Sequence, residues 1–257
     1  MGTLAISTRF GIVTVEHAGP PAAPALIALH GIPSSRRDLL VLAPHIGGDI
    51  DLIGIDMPGF GDSEPGEAAS LHDWAEIVEE VADDLGLARF SVLGHSLGGL
   101  AAMLVASRLP DRVHRLVLLD SAGLRPHALI RQNPPAAFAA LMQRLDALET
   151  RDEVMEIMRG LYASLDLDAP DDWRRLRCQL RVGSTLDFDD VARRAPGIRT
   201  PTTVIHAVDD PGLETELAEE LAATLPNARL VLLDHGGHFP QRTVPAAVAS
   251  HILAALR

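Results

Sequence analysis

Cysteine is almost absent from this chain of 257 residues: Cys178 stands alone, so no disulfide can form within the chain. Its neighbours, "DDWRRLRCQLR", read as a charged amphipathic helix in which one cysteine is a small apolar filler. Positive charge is also scarce, with 22 basic residues against 35 acidic ones and a formal net charge of −13. A surface that acidic repels nucleic acid and anionic membranes at long range, so neither is expected as a partner. No apolar run approaches the roughly 20 residues that a membrane-spanning helix needs. The opening "MGTLAISTRFGIVTVEH" has no basic stretch leading into an apolar one, and the myristoylation pattern fails at Ile6, where Ser or Thr is required. A soluble, cytoplasmic protein is the expectation. No His, Cys and carboxylate grouping has metal-ligand spacing and no dinucleotide glycine fingerprint appears, so neither metal nor cofactor is expected.

What is present is a rich core composition, 47% hydrophobic and 22% charged, at a length that suits one large domain or a core with a modest insertion. Two β-like runs, "LAISTRF" and "GIVTVEHAG", open the chain as a hairpin. Apolar runs then alternate with helical patterns. "ALIALHG" and "DIDLIGIDMPG" are followed by "SLHDWAEIVEEVADDLGL", with Leu71, Trp74, Ile77, Val78, Val81 and Leu85 at helical spacing and a capping-box start at Ser70 and Asp73. A strand "FSVLG", a helix over 97–108 and a strand "VHRLVLLD" come next. Such alternation predicts a parallel sheet covered on both faces. It breaks after Asp120: residues 124–197 hold only helical patterns, and strands resume with "TPTTVIHAVDD" and "ARLVLLDHGG". The expected organisation is a core over 1–123, a helical insertion over 124–197 and the rest of the core over 198–257.

The stretch "GHSLGG" sets Ser96 between Gly94 and Gly98 where a strand turns directly into a helix. Gly-x-Ser-x-Gly in that context is a nucleophile elbow, which exposes the hydroxyl at the carboxyl edge of the sheet. A serine needs a general base, and the base needs a carboxylate to orient it. In this architecture the acid and then the histidine follow later strands, an order matched by Asp209 or Asp210 and by His238. Asp120, after the preceding strand, is a rival acid. The oxyanion donors expected are the backbone amides of Leu97, after the nucleophile, and of Ile32, in the loop "HGIPSS". His235 reads as a surface decoy, His30 and His95 as residues that pack and hydrogen-bond around the oxyanion loop and elbow, and Asp56 as a turn holder.

"HGIPSS", "DMPGFGDSE", "GHSLGG", "LVLLDSAG", "VIHAVDDP" and "GGHFPQ" occur here in the order of the α/β-hydrolase superfamily, which the chain resembles over nearly its whole length. The resemblance implies a mostly parallel, doubly wound, eight-stranded sheet with a helical cap inserted after strand six. Family spacing favours Asp210 as the acid, with Ala207 where a glycine is common, and His238 as the base. Ser96 argues against dehalogenases and epoxide hydrolases, which use aspartate at that position, and Phe239 replaces the tryptophan common in carbon–carbon bond hydrolases.

The activity expected is cleavage of a small, largely apolar carboxylic ester, lactone or thioester by a serine hydrolase, through an acyl-enzyme. The alternatives are carbon–carbon bond hydrolysis of a β-diketone-like substrate, for which Arg125, Arg131, Arg174 and Arg181 are candidate carboxylate holders, and ligand binding without catalysis. A small molecule is the expected partner, and the oligomeric state is left open.

Overall fold

The computed structural model describes residues 2–164 and 167–257. Strands β1 (Gly2–Thr8) and β2 (Gly11–His17) form the opening antiparallel hairpin, turning at Gly11, whose φ of +124° suits a residue without Cβ. The other strands are β3 (Ala25–Leu29), β4 (Asp51–Asp56), β5 (Phe90–His95), β6 (Val113–Leu119), β7 (Thr202–Ala207) and β8 (Ala228–Leu233). All eight join one sheet of order β1-β2-β4-β3-β5-β6-β7-β8, antiparallel at β1–β2 and β2–β4 and parallel elsewhere.

β3, β4, β5 and β7 are buried at every position, which is why they read as predominantly apolar runs instead of alternating ones. Successive residues feed opposite faces of the sheet. Ile27 and Leu29 join a core with Ile53, Val92 and Leu116 beneath the helices Leu71–Asp84 and Leu97–Arg108. Leu26 and Ala28 join a second core with Leu52, Leu93 and Ile205 beneath the helix Pro245–Leu256. The helix Leu71–Asp84 starts with the expected reciprocal cap: Ser70 Oγ accepts from the Asp73 amide, and the Asp73 carboxylate accepts from the Ser70 amide.

From β3 the chain crosses to β4 on one side and then returns to place β5 on the other. The loops leaving β3 and β5 therefore part company at the carboxyl edge, and that divergence opens the crevice in which sheets of this type bind ligands.

Between β6 and β7 the described chain runs through the helices Ala128–Gln132, Pro135–Asp146, Arg151–Ser164, Trp173–Ser184 and Phe188–Arg194. This segment has a small core of its own, with Leu145, Val154, Met155, Met158, Tyr162, Leu176 and Leu180. Met155, Met158 and Tyr162, at helical spacing along one helix, are thus buried within the insertion. The helix Trp173–Ser184 and the residue after it rest on the loop that follows β4 through side chains that reach main-chain oxygens: Arg175 to Gly61 (2.7 Å), Gln179 to Gly59 (3.1 Å), Cys178 to Gly66 (3.5 Å) and Thr185 to Ala69 (2.5 Å). Among the described residues, no helix is long and apolar enough to cross a membrane.

Candidate active site

Ser96 sits between β5 and the helix Leu97–Arg108 with φ 54° and ψ −126°, a conformation that residues with a Cβ rarely adopt. Its backbone is held on both sides. The Ser96 amide donates to the carbonyls of Leu119 (3.2 Å) and Asp120 (3.1 Å), and its carbonyl accepts from Gly99 (3.0 Å) and Ala122 (3.1 Å). The flanking glycines are required by contact. A Cβ on Gly94 would collide with the Gly98 carbonyl oxygen, and one on Gly98 with the carbonyl oxygens of Leu29 and His30. Although Ser96 occupies the helix N-cap, its hydroxyl makes no capping hydrogen bond. It is directed instead to His238.

Ser96 Oγ lies 3.1 Å from His238 Nε2, and His238 Nδ1 lies 2.7 Å from Asp210 Oδ2. Asp210 Oδ1 accepts from the amides of Gly212 (2.8 Å) and Leu213 (3.0 Å). Burial pushes the Asp210 carboxyl up, but the His238 hydrogen bond and charge and the two amides outweigh it and hold the group below the usual carboxylate range. An ionised Asp210 requires the proton on Nδ1, which leaves Nε2 bare to accept from the serine hydroxyl. The chain contains no lysine, so a serine–lysine pairing is not available as an alternative.

The neighbouring aspartate is also engaged. Asp209 Oδ1 accepts from the Gly237 amide at 2.8 Å, tying down the residue before the histidine. Asp120 makes no contact with the His238 ring among the described hydrogen bonds. One of its oxygens accepts from the Ala207 amide (2.9 Å) and the other has no partner. His206 Nδ1 is 3.1 Å from Asp120 Oδ1 but out of line for a hydrogen bond. Burial raises the Asp120 carboxyl well above its ordinary value. Asp120, His206 and Asp210 bring ligand-type atoms within 4.8 Å of one another. Both Asp210 oxygens already carry hydrogen bonds, whereas Asp120 Oδ2 and both His206 ring nitrogens have no partner among the described residues.

Gly31 passes directly over the serine: a Cβ there would lie 2.7 Å from Ser96 Cβ and 3.2 Å from Oγ. The next amide, Ile32, and that of Leu97, the first residue of the helix, have no acceptor among the described residues. His95, behind the elbow, is buried and its Nε2 is 2.7 Å from the His238 carbonyl, which can only accept, so Nε2 carries the proton. Burial first, and then the nearby His238, lower the His95 pKa to about 3. Asp56 holds its turn, accepting from the amides of Arg36 (2.7 Å) and Asp62 (2.8 Å). His235 is exposed. Sequence reasoning missed the attachment of Asp209 to Gly237 and the clustering of Asp120 with His206, both of which depend on how strand ends meet.

A cavity of about 680 Å³ lies between the loop after β3, the loop after β4 and the helical insertion, with Ser34, Gly59, Tyr162, Arg175, Gln179 and Arg242 among its walls and Ser96 and His238 outside them. Its lining mixes charged and polar side chains with apolar surface in nearly equal shares. Arg242 pairs with Asp38, while Arg175 has no carboxylate within ion-pair range among the described residues. The four arginines singled out from the sequence are elsewhere and paired: Arg125 with Glu220, Arg131 with Glu214, Arg174 with Asp172 and Arg181 with Glu67.

Residues 24–243 match the family model described as alpha/beta hydrolase fold, and the chain belongs to that family. A pimeloyl-(acyl-carrier protein) methyl ester esterase of Aromatoleum aromaticum is 28% identical over 242 residues, spanning 84% of this chain and 92% of its own length. The uncharacterized hydrolase YugF of Bacillus subtilis is 24% identical over 256 residues, covering 93% and 92% of the two chains. Among solved structures, the enol-lactonase of Burkholderia xenovorans superposes with a TM-score of 0.77 at 21% identity, over 98% of this chain and 99% of that one, a likeness of fold.

Proposed function

We propose that this protein is a serine hydrolase of carboxylic esters or lactones. The observation that carries this reading is the unbroken line from Ser96 Oγ through the His238 ring to Asp210, at 3.1 Å and 2.7 Å, beside two amides free to donate. His238 Nε2 takes the serine proton as Oγ attacks the carbonyl carbon. Asp210 keeps the ring oriented and stabilises the imidazolium. The amides of Ile32 and Leu97 receive the developing oxyanion, a contribution of about 3 kcal/mol for each donor. His238 then gives its proton to the leaving alcohol, and a water activated by the same ring hydrolyses the acyl-enzyme.

The helices between β6 and β7 serve as a cap that limits substrate size. Ile32, next to Gly31 over the serine, packs against the apolar core that includes Leu97, Leu124 and Phe188, and this apolar surface suits a small acyl group. The neighbouring cavity, with Arg175 and Arg242 in its mixed walls, suits a group further from the scissile bond that carries polar atoms. A carbon–carbon substrate finds no support in Arg125, Arg131, Arg174 or Arg181, each already paired.

The test is hydrolysis of p-nitrophenyl esters of increasing acyl length, plus one ester with a distal carboxylate, by the wild type and Ser96→Ala. Turnover of short esters by the wild type is expected, with a loss of about 10⁶ in kcat in the variant. A folded wild type that leaves every ester intact removes the esterase reading and returns the protein to carbon–carbon substrates or to a binding role.

A further inference from the structure

An oxyanion donor taken from the main chain has no rotamer of its own. In a trans peptide the N–H points opposite to the preceding C=O, so whatever fixes the Gly31 carbonyl also fixes the aim of the Ile32 amide. In this structure His30 fixes it. The Met57 amide donates to His30 Nε2 at 3.1 Å, which leaves that nitrogen bare and puts the ring proton on Nδ1. Nδ1–H in turn donates to the Gly31 carbonyl at 2.8 Å. The ring cannot swing away, because it is fully buried, with ring centroids of Phe60 at 4.9 Å and Trp74 at 5.4 Å. Burial also lowers the His30 pKa, in keeping with the uncharged form.

We infer that His30 is a positioning residue of the oxyanion pocket: its Nδ1–H holds the Gly31–Ile32 peptide so that the Ile32 amide faces the space above Ser96. The inference rests on the serine-hydrolase reading and goes beyond it, because it makes transition-state binding depend on the end of β4, through Met57. Gly31 completes the device, since its missing side chain lets this peptide come within contact of the serine. A histidine that merely filled the core would also need its nitrogens bonded, but to any buried partner, and would have no reason to favour one state of the reaction over another.

The experiment compares His30→Phe, which keeps an aromatic ring but removes the donor, with His30→Gln, whose amide can both accept from Met57 and donate to Gly31. Steady-state kinetics on a p-nitrophenyl ester and inhibition by an aryl boronic acid, which forms a tetrahedral adduct with the serine, are measured together with the melting temperature. In His30→Phe, kcat is expected to fall about 10²-fold, the low end of the range for losing one oxyanion donor, with KM within about threefold and boronate affinity falling in parallel. His30→Gln should recover at least about tenfold of that loss. A folded His30→Phe with wild-type kcat, or one that loses kcat while binding boronate as before, overturns the inference.

Should the phenylalanine variant not fold, ¹⁵N–¹H spectra of the wild-type histidine rings, with the His30 signals assigned by their loss in His30→Gln, decide the matter. The Nδ1–H tautomer supports the inference, and the Nε2–H or doubly protonated ring overturns it. Failure of the wild type to cleave esters, or full activity of Ser96→Ala, would instead remove the underlying hydrolase reading.

Discussion

The ends of β6 and β7 lie side by side and each delivers an aspartate to the same region, yet their surroundings push the two carboxyls in opposite directions. Asp120 and Asp210 both have fully buried side chains. Asp210 accepts two amide hydrogens and one from an imidazole, and is held ionised. Asp120 accepts from a single amide and leaves one oxygen unpartnered, and burial drives it toward the neutral acid. Burial alone therefore does not set the charge of a carboxyl; the number of donors converging on it does. Only the ionised member can stabilise an imidazolium, so the comparison assigns the two residues different tasks.

The strongest way to break this contrast is Asp210→Asn. It preserves shape but offers His238 an amide, and kcat/KM for an ester is expected to fall by about 10⁴. A loss below about tenfold would mean that another carboxylate orients the base.

A smaller effect is expected in the pH dependence of stability. Asp120 is protonated in the folded state above the pH at which it ionises in the unfolded chain, so its contribution is fully present below about pH 4 and is lost as pH rises toward its folded pKa. Asp210 has the opposite sign: its contribution is present above the unfolded pKa and is lost as pH falls through the depressed folded one. Urea unfolding followed from about pH 4 upward should thus show the wild type losing a contribution from Asp120 as pH rises, a component absent in Asp120→Asn. Equal slopes in the two proteins would show Asp120 to be ionised. The smallest effect is on turnover, where Asp120→Asn should stay within about threefold of wild type: asparagine is close in shape to the neutral acid and tolerates the positive φ of 38° at this position.

Local signals in the sequence carried much of this molecule. The strand–glycine–serine–glycine–helix junction around Ser96 is contiguous, so the elbow is readable in five residues. The order of Asp210 and His238 is readable because parallel strands deliver their ends to one edge. Beyond that, legibility drops with sequence separation. His30 and Met57 are 27 residues apart and His95 and the His238 carbonyl 143 apart, and in both pairs one partner is a backbone group whose identity leaves no mark on the sequence. The stripe of Met155, Met158 and Tyr162 shows the limit of periodicity, which detects a buried face but not what buries it. The structure turns that face onto Leu176 and Leu180 within the insertion.

The contacts between the helix Trp173–Ser184 and the loop after β4 end on carbonyl oxygens of Gly59, Gly61, Gly66 and Ala69. Every residue type presents such an oxygen, but a Cβ on Gly59, Gly61 or Gly66 would collide with Cys178, Asp56 or the Phe10 carbonyl, so the seat of the insertion is recorded in those glycines as well as in the length and path of the loop. Point changes at exposed loop positions other than the anchoring glycines leave those oxygens where they are, whereas the gain or loss of one residue moves the whole row at once. The mouth of the cleft is thus set by the path of a main chain pinned at glycines, and its side chains are free to differ only between those points.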